Sequence, residues 1–422
     1  MIVHIVMIRM VHFFSGYEGL GGVHSLLKRH EKMDRSLGLD SRFIIGWERQ
    51  IRQQKEPRVF FLGINGRANI KLFRHRFAAA IQLTKPDLIV YHTPANMDFL
   101  ADLDGAARRV VVLHTHPREL RNSMRFCLDL MDGVLSVSEP LQQEFLKTHP
   151  EWPSERASYL PLPVEPMAAP LPLSPLQSGD LLTIGYSGRL VKLMKRADRL
   201  VDFARELQRI KRPFRLQIAG NGELQGSIKR RLKPIPNVEF LGRLEGSAYW
   251  NVLAGWDAML NCSDQEAGTT AILEGMAVGC LPICPDIPCQ GHLSARLISS
   301  QLVYPQGDMR SAAQSADWLG RLSNRAIAAM RNQAQVLARQ YDPRHYGGIF
   351  SEFLHKISAL PVRSTHVVPP RMRSLDDIPF LWQFRAVQWQ MRWASTRTRL
   401  FNLFSRHYSK PYGIRGESVA KV

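Results

Sequence analysis

The chain has 422 residues, more than one typical core holds, and its length fits two to three domains. Hydrophobic content of 45% and charged content of 22% are those of a globular protein, and no apolar run approaches the ~18 residues of a membrane-spanning helix. The formal net charge of +19 calls for an acidic partner or surface. In chain order, Met1–Met10 reads as a buried first strand rather than a signal peptide, because it lacks a basic leader and a small-residue cleavage site. A loop and a helix over about Gly22–Leu37 follow. Further strands are expected at Arg42–Gly46, Asp87–His92, Arg109–His114 and Asp132–Ser138. Strands spaced by 20 to 40 residues leave room for right-handed helical crossovers and so for a parallel, doubly wound sheet.

Pro161, Pro163, Pro166, Pro170, Pro172 and Pro175 then interrupt the pattern, and neither a helix nor a central strand tolerates that density. The alternation restarts at Leu181–Ser187, with a helix over about Arg196–Ile210 and strands at Phe214–Ala219, Val238–Leu241, Ala258–Asn261 and Leu281–Cys284. A short helix is expected at Ala271–Val278, stopped by Gly279, and residues 310–340 read as helical. The fold class is therefore α/β, with two doubly wound halves in tandem and a cleft between them. The boundaries are an N-terminal half over 1–165, a linker over 166–178, a C-terminal half over 179–343, a helix over 344–358 and a tail over 359–422. Cys127, Cys262, Cys280, Cys284 and Cys289 lack the paired spacing of a zinc site, and an odd count without a secretory signal fits a reducing cytosol.

Three loops point to one kind of ligand. Gly19-Leu-Gly-Gly22 lies between the first strand and the first helix, where Gly21 and Gly22 let backbone approach a ligand. It is neither a Gly-x-Gly-x-x-Gly fingerprint nor a P-loop. Ser187-Gly-Arg189 through Lys195-Arg196 puts two cations six residues apart at a strand end, able to clamp phosphates. Glu266-Ala-Gly-Thr-Thr-Ala-Ile-Leu-Glu274 places carboxylates eight residues apart around a helix start whose free N–H groups suit phosphate. Each loop alone has a bland counterpart: a glycine turn, a solvated basic turn, an acidic first helical turn. All three fall at equivalent strand ends, in an order that closes one cleft.

These motifs, with Ile218-Ala-Gly-Asn-Gly222, Val238-Glu-Phe-Leu-Gly242 and Glu274-Gly-Met-Ala-x-Gly279, resemble the family-4 retaining glycosyltransferases of the GT-B fold. The resemblance covers about residues 1–356 and is most specific over 184–285. It implies a nucleotide-diphosphate sugar donor held mainly by the C-terminal half, with no metal and no cofactor. Arg189 and Lys195 would neutralise the diphosphate, and Gly268, Thr269, Thr270 and Ala271 would offer backbone to phosphate and sugar. Glu274 would bind the ribose, Glu266 the sugar hydroxyls, and Gly21 and Gly22 would approach from the opposite half. His114 matches a family histidine beside the donor sugar, with His116 its rival. Asp102-Leu-Asp104 is the one Asp-x-Asp considered for a metal, and it lies in a polar, helical stretch rather than at a strand end. Two departures stand out. Ala267-Gly268-Thr269 replaces the usual Gly-Phe/Leu-Gly, and Leu162-Pro-Val-Glu165 replaces Asn-Gly-Val-Asp.

Residues 357–422 lie largely beyond the resemblance and hold eleven Lys/Arg against three Asp/Glu. On a helix, Phe380, Phe384, Val387 and Met391 form one stripe and Trp382, Trp389, Trp393 and Leu400 another, with Arg385, Arg392 and Arg399 between. Residues 376–407 are thus expected either at an anionic membrane surface or packed on the protein body. The functional expectation is a glycosyltransferase, cytoplasmic and peripheral on the inner face of the plasma membrane. It would act on a glycan or lipid-linked acceptor in bacterial cell-surface polysaccharide or lipopolysaccharide synthesis. Alternatives are an inactive scaffold or binding subunit of the same fold, and an epimerase or phosphorylase. Nucleic-acid binding lacks any recognition module and is not expected.

Overall fold

The structure is a computed structural model and describes residues 8–16, 22–47, 58–64, 68–92, 100, 103, 107–114, 128–164 and 181–361. Gly21, Asp102, Asp104, His116, Cys127, Glu165, the proposed linker over 166–178 and the tail stretch 376–407 lie outside the described residues.

The N-terminal half is a parallel sheet of β1 (Arg9–Gly16), β2 (Asp40–Trp47), β3 (Val59–Phe61), β4 (Leu88–Tyr91), β5 (Arg108–Leu113), β6 (Gly133–Ser136) and β7 (Ala157–Tyr159). Its order is β3-β2-β1-β4-β5-β6-β7. Helices α1 (Gly22–Ser36), α2 (Ile70–Thr84) and α3 (Glu139–Thr148) belong to this half. The second sheet repeats the plan with β8 (Leu182–Ser187), β9 (Phe214–Ala219), β10 (Val238–Gly242), β11 (Ala258–Leu260), β12 (Leu281–Pro285) and β13 (Val303–Tyr304), ordered β10-β9-β8-β11-β12-β13. Its helices are α4 (Arg199–Arg209), α5 (Gln225–Leu232), α6 (Gly246–Ala254), α7 (Thr270–Ala277), α8 (Gln290–Ile298), α9 (Met309–Leu319) and α10 (Asn324–Ala338). Each half has its own core, and in each sheet the order reverses beside the first strand, which opens a crevice at the strands' carboxyl ends.

Helix α11 (Pro343–Ala359) follows the second half yet packs on the first, burying Tyr346, Phe350, Phe353 and Ile357 in the N-terminal core. Phe353 and Ile357 sit over Gly133, where an added Cβ would come within 2.6 Å of the Phe353 ring. Asp342 caps the helix by accepting from the Arg344 amide at 2.8 Å, beside a proline at the first helical turn. The expected crossing helix over 344–358 is therefore present, one residue longer at each end.

Three expectations need correction. The first strand among the described residues is Arg9–Gly16, so it runs past the expected end at Met10, and residues 1–7 lie outside the described residues. Its centre holds His12, a residue that argues for a loop until its ring is seen fully buried and bonded at both nitrogens. The helix expected from Arg196 begins at Arg199, because Met194 and Arg196 adopt left-handed backbone with φ of 64° and 48°. Residues 310–340 are not helical throughout but form two helices parted after Gly320, and Ser323 caps the second by accepting from the Ala326 amide. Strands β3, β7 and β13 have three residues or fewer and give no periodic signal. Cys262, Cys280, Cys284 and Cys289 are buried free thiols whose pKa burial raises. No helix among the described residues is long and apolar enough to cross a membrane.

The glycine motif after β9 has a positional cause. Gly220 has φ of 136°, and a Cβ there would lie 1.9 Å from the Gly188 carbonyl oxygen. Leu190 donates to the Asn221 carbonyl at 2.9 Å, so this loop backs the turn that carries Arg189. Gly220→Ala should cost about 1–3 kcal/mol by overpacking and backbone strain. The expected reading is a lower urea midpoint; an unchanged midpoint would show that the loop is not fixed against Gly188.

Candidate active site

The site forms at the carboxyl ends of β8 and β11. Asp264 fixes its outer wall. It pairs with Arg196 at 2.8 Å and Arg199 at 2.6 Å, and its amide donates to the Met194 carbonyl at 2.7 Å. These two cations, with a hydrogen bond from Gln306, hold the Asp264 carboxyl below its ordinary pKa against the effect of burial. The left-handed turns at Met194 and Arg196 bracket Lys195 and bring its Nζ 2.5 Å from Glu266 Oε1. The same carboxylate oxygen accepts from Ser263 Oγ at 2.6 Å. A recess of about 50 Å³ opens here, with Tyr186, Ser187, Lys195, Asn261, Glu266 and Thr269 in its wall.

Thr269 precedes α7 with φ of 43° and ψ of 45°. Left-handed backbone at a β-branched residue is an outlier and concentrates at functional sites. The carbonyl of Thr269 accepts from the Ile272 and Leu273 amides, which starts the helix. Its hydroxyl is buried and has no hydrogen-bond partner among the described residues. Thr270 and Ala271 follow as the first helical positions in the wall of the recess, where the helix start favours negative charge.

The two halves touch at this loop. Ala267 is buried in the N-terminal core, and Gly268 lies so close to the same half that a Cβ would come 2.8 Å from Leu162 and 3.6 Å from Val137. That contact explains the departure from the familiar motif, since a large side chain here has no room. Glu274, buried on α7, accepts from Tyr249 Oη at 2.7 Å and from the Arg29 guanidinium at 2.5 Å. Arg29 comes from α1 of the other half and also donates to the Pro163 carbonyl at 2.9 Å. Burial, and secondarily the Glu274 charge, pushes the Tyr249 phenol pKa well up, so it donates as a neutral hydroxyl.

Of the residues expected from sequence, Lys195, Glu266, Gly268, Thr269, Thr270, Ala271 and Glu274 are gathered on this one loop system. Arg189 stands exposed at the end of β8, its carbonyl accepting from Tyr186 Oη at 3.0 Å. Gly22 is the first residue of α1. His114 follows β5 and lines a small apolar recess with Val137 and Leu162, the two side chains nearest Gly268. Burial lowers its pKa to about 4. Arg29, Tyr249 and Ser263 escape sequence reading. An arginine on an amphipathic helix looks like any solvated one, and only the fold shows that it points at the other half.

Residues 182–321 match the family described as Glycosyl transferases group 1. No curated protein matches the chain in sequence. Among solved structures, the chain is similar to the apo lipopolysaccharide outer core galactosyltransferase WaaB, with 17% identity, a TM-score of 0.63, and coverage of 83% of this chain and all of that one. It is also similar to Anabaena HepE in complex with UDP and glucose, with 15% identity, a TM-score of 0.63, and coverage of 82% and 99%. S. aureus TarM, in complex with fondaparinux, alpha-GlcNAc-glycerol and UDP, shares 10% identity at a TM-score of 0.66, over 84% of this chain and all of that one. At such identities the likeness shows the fold, and the fold is that of the GT-B glycosyltransferases. The chain therefore has the GT-B fold, and its residues 182–321 match the Glycosyl transferases group 1 family.

Proposed function

We propose that the protein is a retaining glycosyltransferase that moves a sugar from a nucleoside-diphosphate donor to a glycan or lipid-linked acceptor, without a metal ion. The setting we assign is bacterial cell-surface polysaccharide or lipopolysaccharide synthesis on the inner face of the plasma membrane. One observation carries the reading: Lys195, Glu266 and the strained start of α7 converge on a single recess facing the other half. The similar structures, a lipopolysaccharide outer core galactosyltransferase and a protein in complex with UDP and glucose, support the donor class and the setting.

Transfer breaks the bond between the anomeric carbon and a phosphate oxygen. Positive charge grows on the sugar while the diphosphate departs with negative charge. Fixed positive groups placed for the leaving group lower that barrier. Here Lys195, Arg189 and the N–H groups of Thr270 and Ala271 fill this role, which a divalent ion fills elsewhere. A diphosphate draws Lys195 away from Glu266, and the freed carboxylate accepts hydrogen bonds from sugar hydroxyls. Glu274 takes the ribose, in exchange for part of its contact with Arg29. Retention follows from attack on the same face that the diphosphate leaves, with the acceptor proton passing to the leaving phosphate.

A charge-assisted hydrogen bond contributes about 1.5–3 kcal/mol. Lys195→Ala and Arg189→Ala should therefore each slow transfer by about 10- to 100-fold with the fold retained. Screening nucleoside-diphosphate sugars for thermal stabilisation, then for diphosphate release, checks the whole reading. Stabilisation that Lys195→Ala abolishes supports it, and no response to any such donor overturns it.

Arg29→Ala leaves Glu274 buried without its cation, a loss of about 3–5 kcal/mol for a buried pair. The expected result is a more open molecule, read as a larger radius of gyration in solution scattering. An unchanged radius would show that this pair does not hold the halves together.

The basic aromatic stretch 376–407 lies outside the described residues, and we assign it to the membrane surface. Flotation on anionic vesicles should fall when residues 360–422 are removed; equal flotation would remove the tail from that role.

A further inference from the structure

A row of buried histidines lies behind His114, and the donor site does not account for it. His12 on β1, His30 and Asp34 on α1, and His92 just after β4 meet where the order of the first sheet reverses. His12 and Asp34 are fully buried, and His30 and His92 nearly so. Ser41 Oγ donates to Asp34 Oδ2 at 2.8 Å, and the same oxygen lies 2.9 Å from His12 Nε2. His12 Nδ1 lies 2.8 Å from His92 Nε2, and His92 Nδ1 lies 3.0 Å from His114 Nε2. Ser41, Asp34, His12, His92 and His114 thus form one continuous hydrogen-bonded chain.

Such a chain has few ways to arrange its protons. A neutral imidazole carries one N–H, and each nitrogen–nitrogen contact needs one donor and one acceptor. An ionised Asp34 can only accept, so His12 donates from Nε2. With one proton on each ring, His12 accepts at Nδ1, which makes His92 donate from Nε2 and accept at Nδ1. His114 must in turn donate from Nε2, and its Nδ1 is left as an acceptor. A second proton on His12 is the change that reverses the later links. The surroundings oppose extra protons further along. Burial, together with the neighbouring histidines, pushes the His92 and His30 pKa values well down, and burial does the same at His114. From α1, His30 Nδ1 stands 4.0 Å from Asp34 Oδ1, and from α11 the Tyr346 hydroxyl reaches His30 Nδ1 at 3.1 Å. Phe14 and Phe43 stack on the His92 and His12 rings, which fixes their planes.

We infer that Asp34, acting through His12 and His92, fixes the tautomer of His114 so that its Nδ1 accepts a hydrogen bond from one hydroxyl of the donor sugar. Asp34, His12 and His92 are positioning residues, and His114 determines specificity by requiring a hydrogen-bond donor at one sugar position. The sugar contact rests on the glycosyltransferase reading above; the state of the chain does not.

The test has two separate arms on the full-length protein. Long-range proton–nitrogen NMR with labelled histidine reads the tautomers, assigned by single substitutions. The expected result is Nε2–H on His12, His92 and His114 at neutral pH, with nitrogen–nitrogen coupling across both links. Nδ1–H or a doubly protonated ring at any of the three overturns the inference. So does a stoichiometric metal in the purified protein, because His12, His30 and His92 are close enough to share one and coordination would consume the same lone pairs. In the second arm, donors carrying fluorine in place of single sugar hydroxyls are compared. Wild type should lose roughly tenfold in kcat/KM at one position, and His92→Phe should lose that discrimination while nucleotide binding is unchanged. Discrimination retained in both His92→Phe and Asp34→Asn overturns the positioning role. Full transfer by His114→Ala overturns the sugar contact alone, and the tautomer result then stands or falls by itself.

Discussion

A carboxylate removed from water must keep a cation, and Glu274 finds its cation on the other half of the molecule. That requirement couples the two sheets. Arg29 spans from α1 to α7, and the same guanidinium holds the Pro163 carbonyl just before the chain enters its second half. Around this pair the contact is close. Ala267 sits in the N-terminal core, Gly268 lies against Leu162, and the Val164 amide donates to the Tyr341 carbonyl. Helix α11 completes the tie by returning to the first half. The cleft geometry is therefore set by interactions that neither half satisfies alone.

The same logic explains why the charged side chains of the site are paired with one another. Lys195 and Glu266 are neutralised within 2.5 Å, as are Arg29 and Glu274. Each pair combines a group suited to phosphate or ribose with one suited to neutralising it. Under the proposed function, an anionic donor would compete for the cations and leave the carboxylates to hydroxyl groups, so one event would rearrange both pairs. Thr269 needs no rearrangement. Its left-handed backbone costs about 1–3 kcal/mol and is held from both sides. Amides of α7 bond its carbonyl, and Gly291 leaves the space its hydroxyl occupies, since a Cβ there would come within 2.7 Å. The helix start is thus fixed before any ligand arrives, and preorganisation of this kind is what charge stabilisation during bond breaking demands.

The architecture was readable because apolar runs in a doubly wound sheet are continuous and evenly spaced. Leu88–Tyr91, Gly133–Ser136 and Leu281–Pro285 are buried at every position, and the sequence shows each as a short apolar block. The far end of the first strand was not readable for the same reason. Met1–Ile8 is the more apolar stretch, whereas Arg9–Gly16 carries His12 and ends on Ser15-Gly16. Composition does not tell a histidine in a loop from one whose two nitrogens are satisfied inside a core. The loop from Glu266 to Glu274 was readable as a candidate site because its residues are consecutive. Arg29, Tyr249 and Ser263 were not, because their roles depend on which elements face one another. Arg29 and Glu274 stand 245 residues apart.

The histidine row extends that point from contacts to protonation. His12, His92 and His114 look alike in sequence, each within or just after an apolar block. Their places on adjacent parallel strands decide the difference. β1 pairs with β4, and β4 with β5, so the middle of β1 and the ends of β4 and β5 deliver three rings side by side. Asp34 arrives from the helix that connects β1 to β2 and supplies the only carboxylate in the chain of bonds. Burial then makes each link depend on the one before it, because a misplaced proton would leave a buried nitrogen unpaired. A charge in the core thereby fixes which edge of a distant ring accepts a hydrogen bond. The information passes through proton positions rather than through movement of the backbone, and the regular stacking of parallel strands is what makes such a path possible.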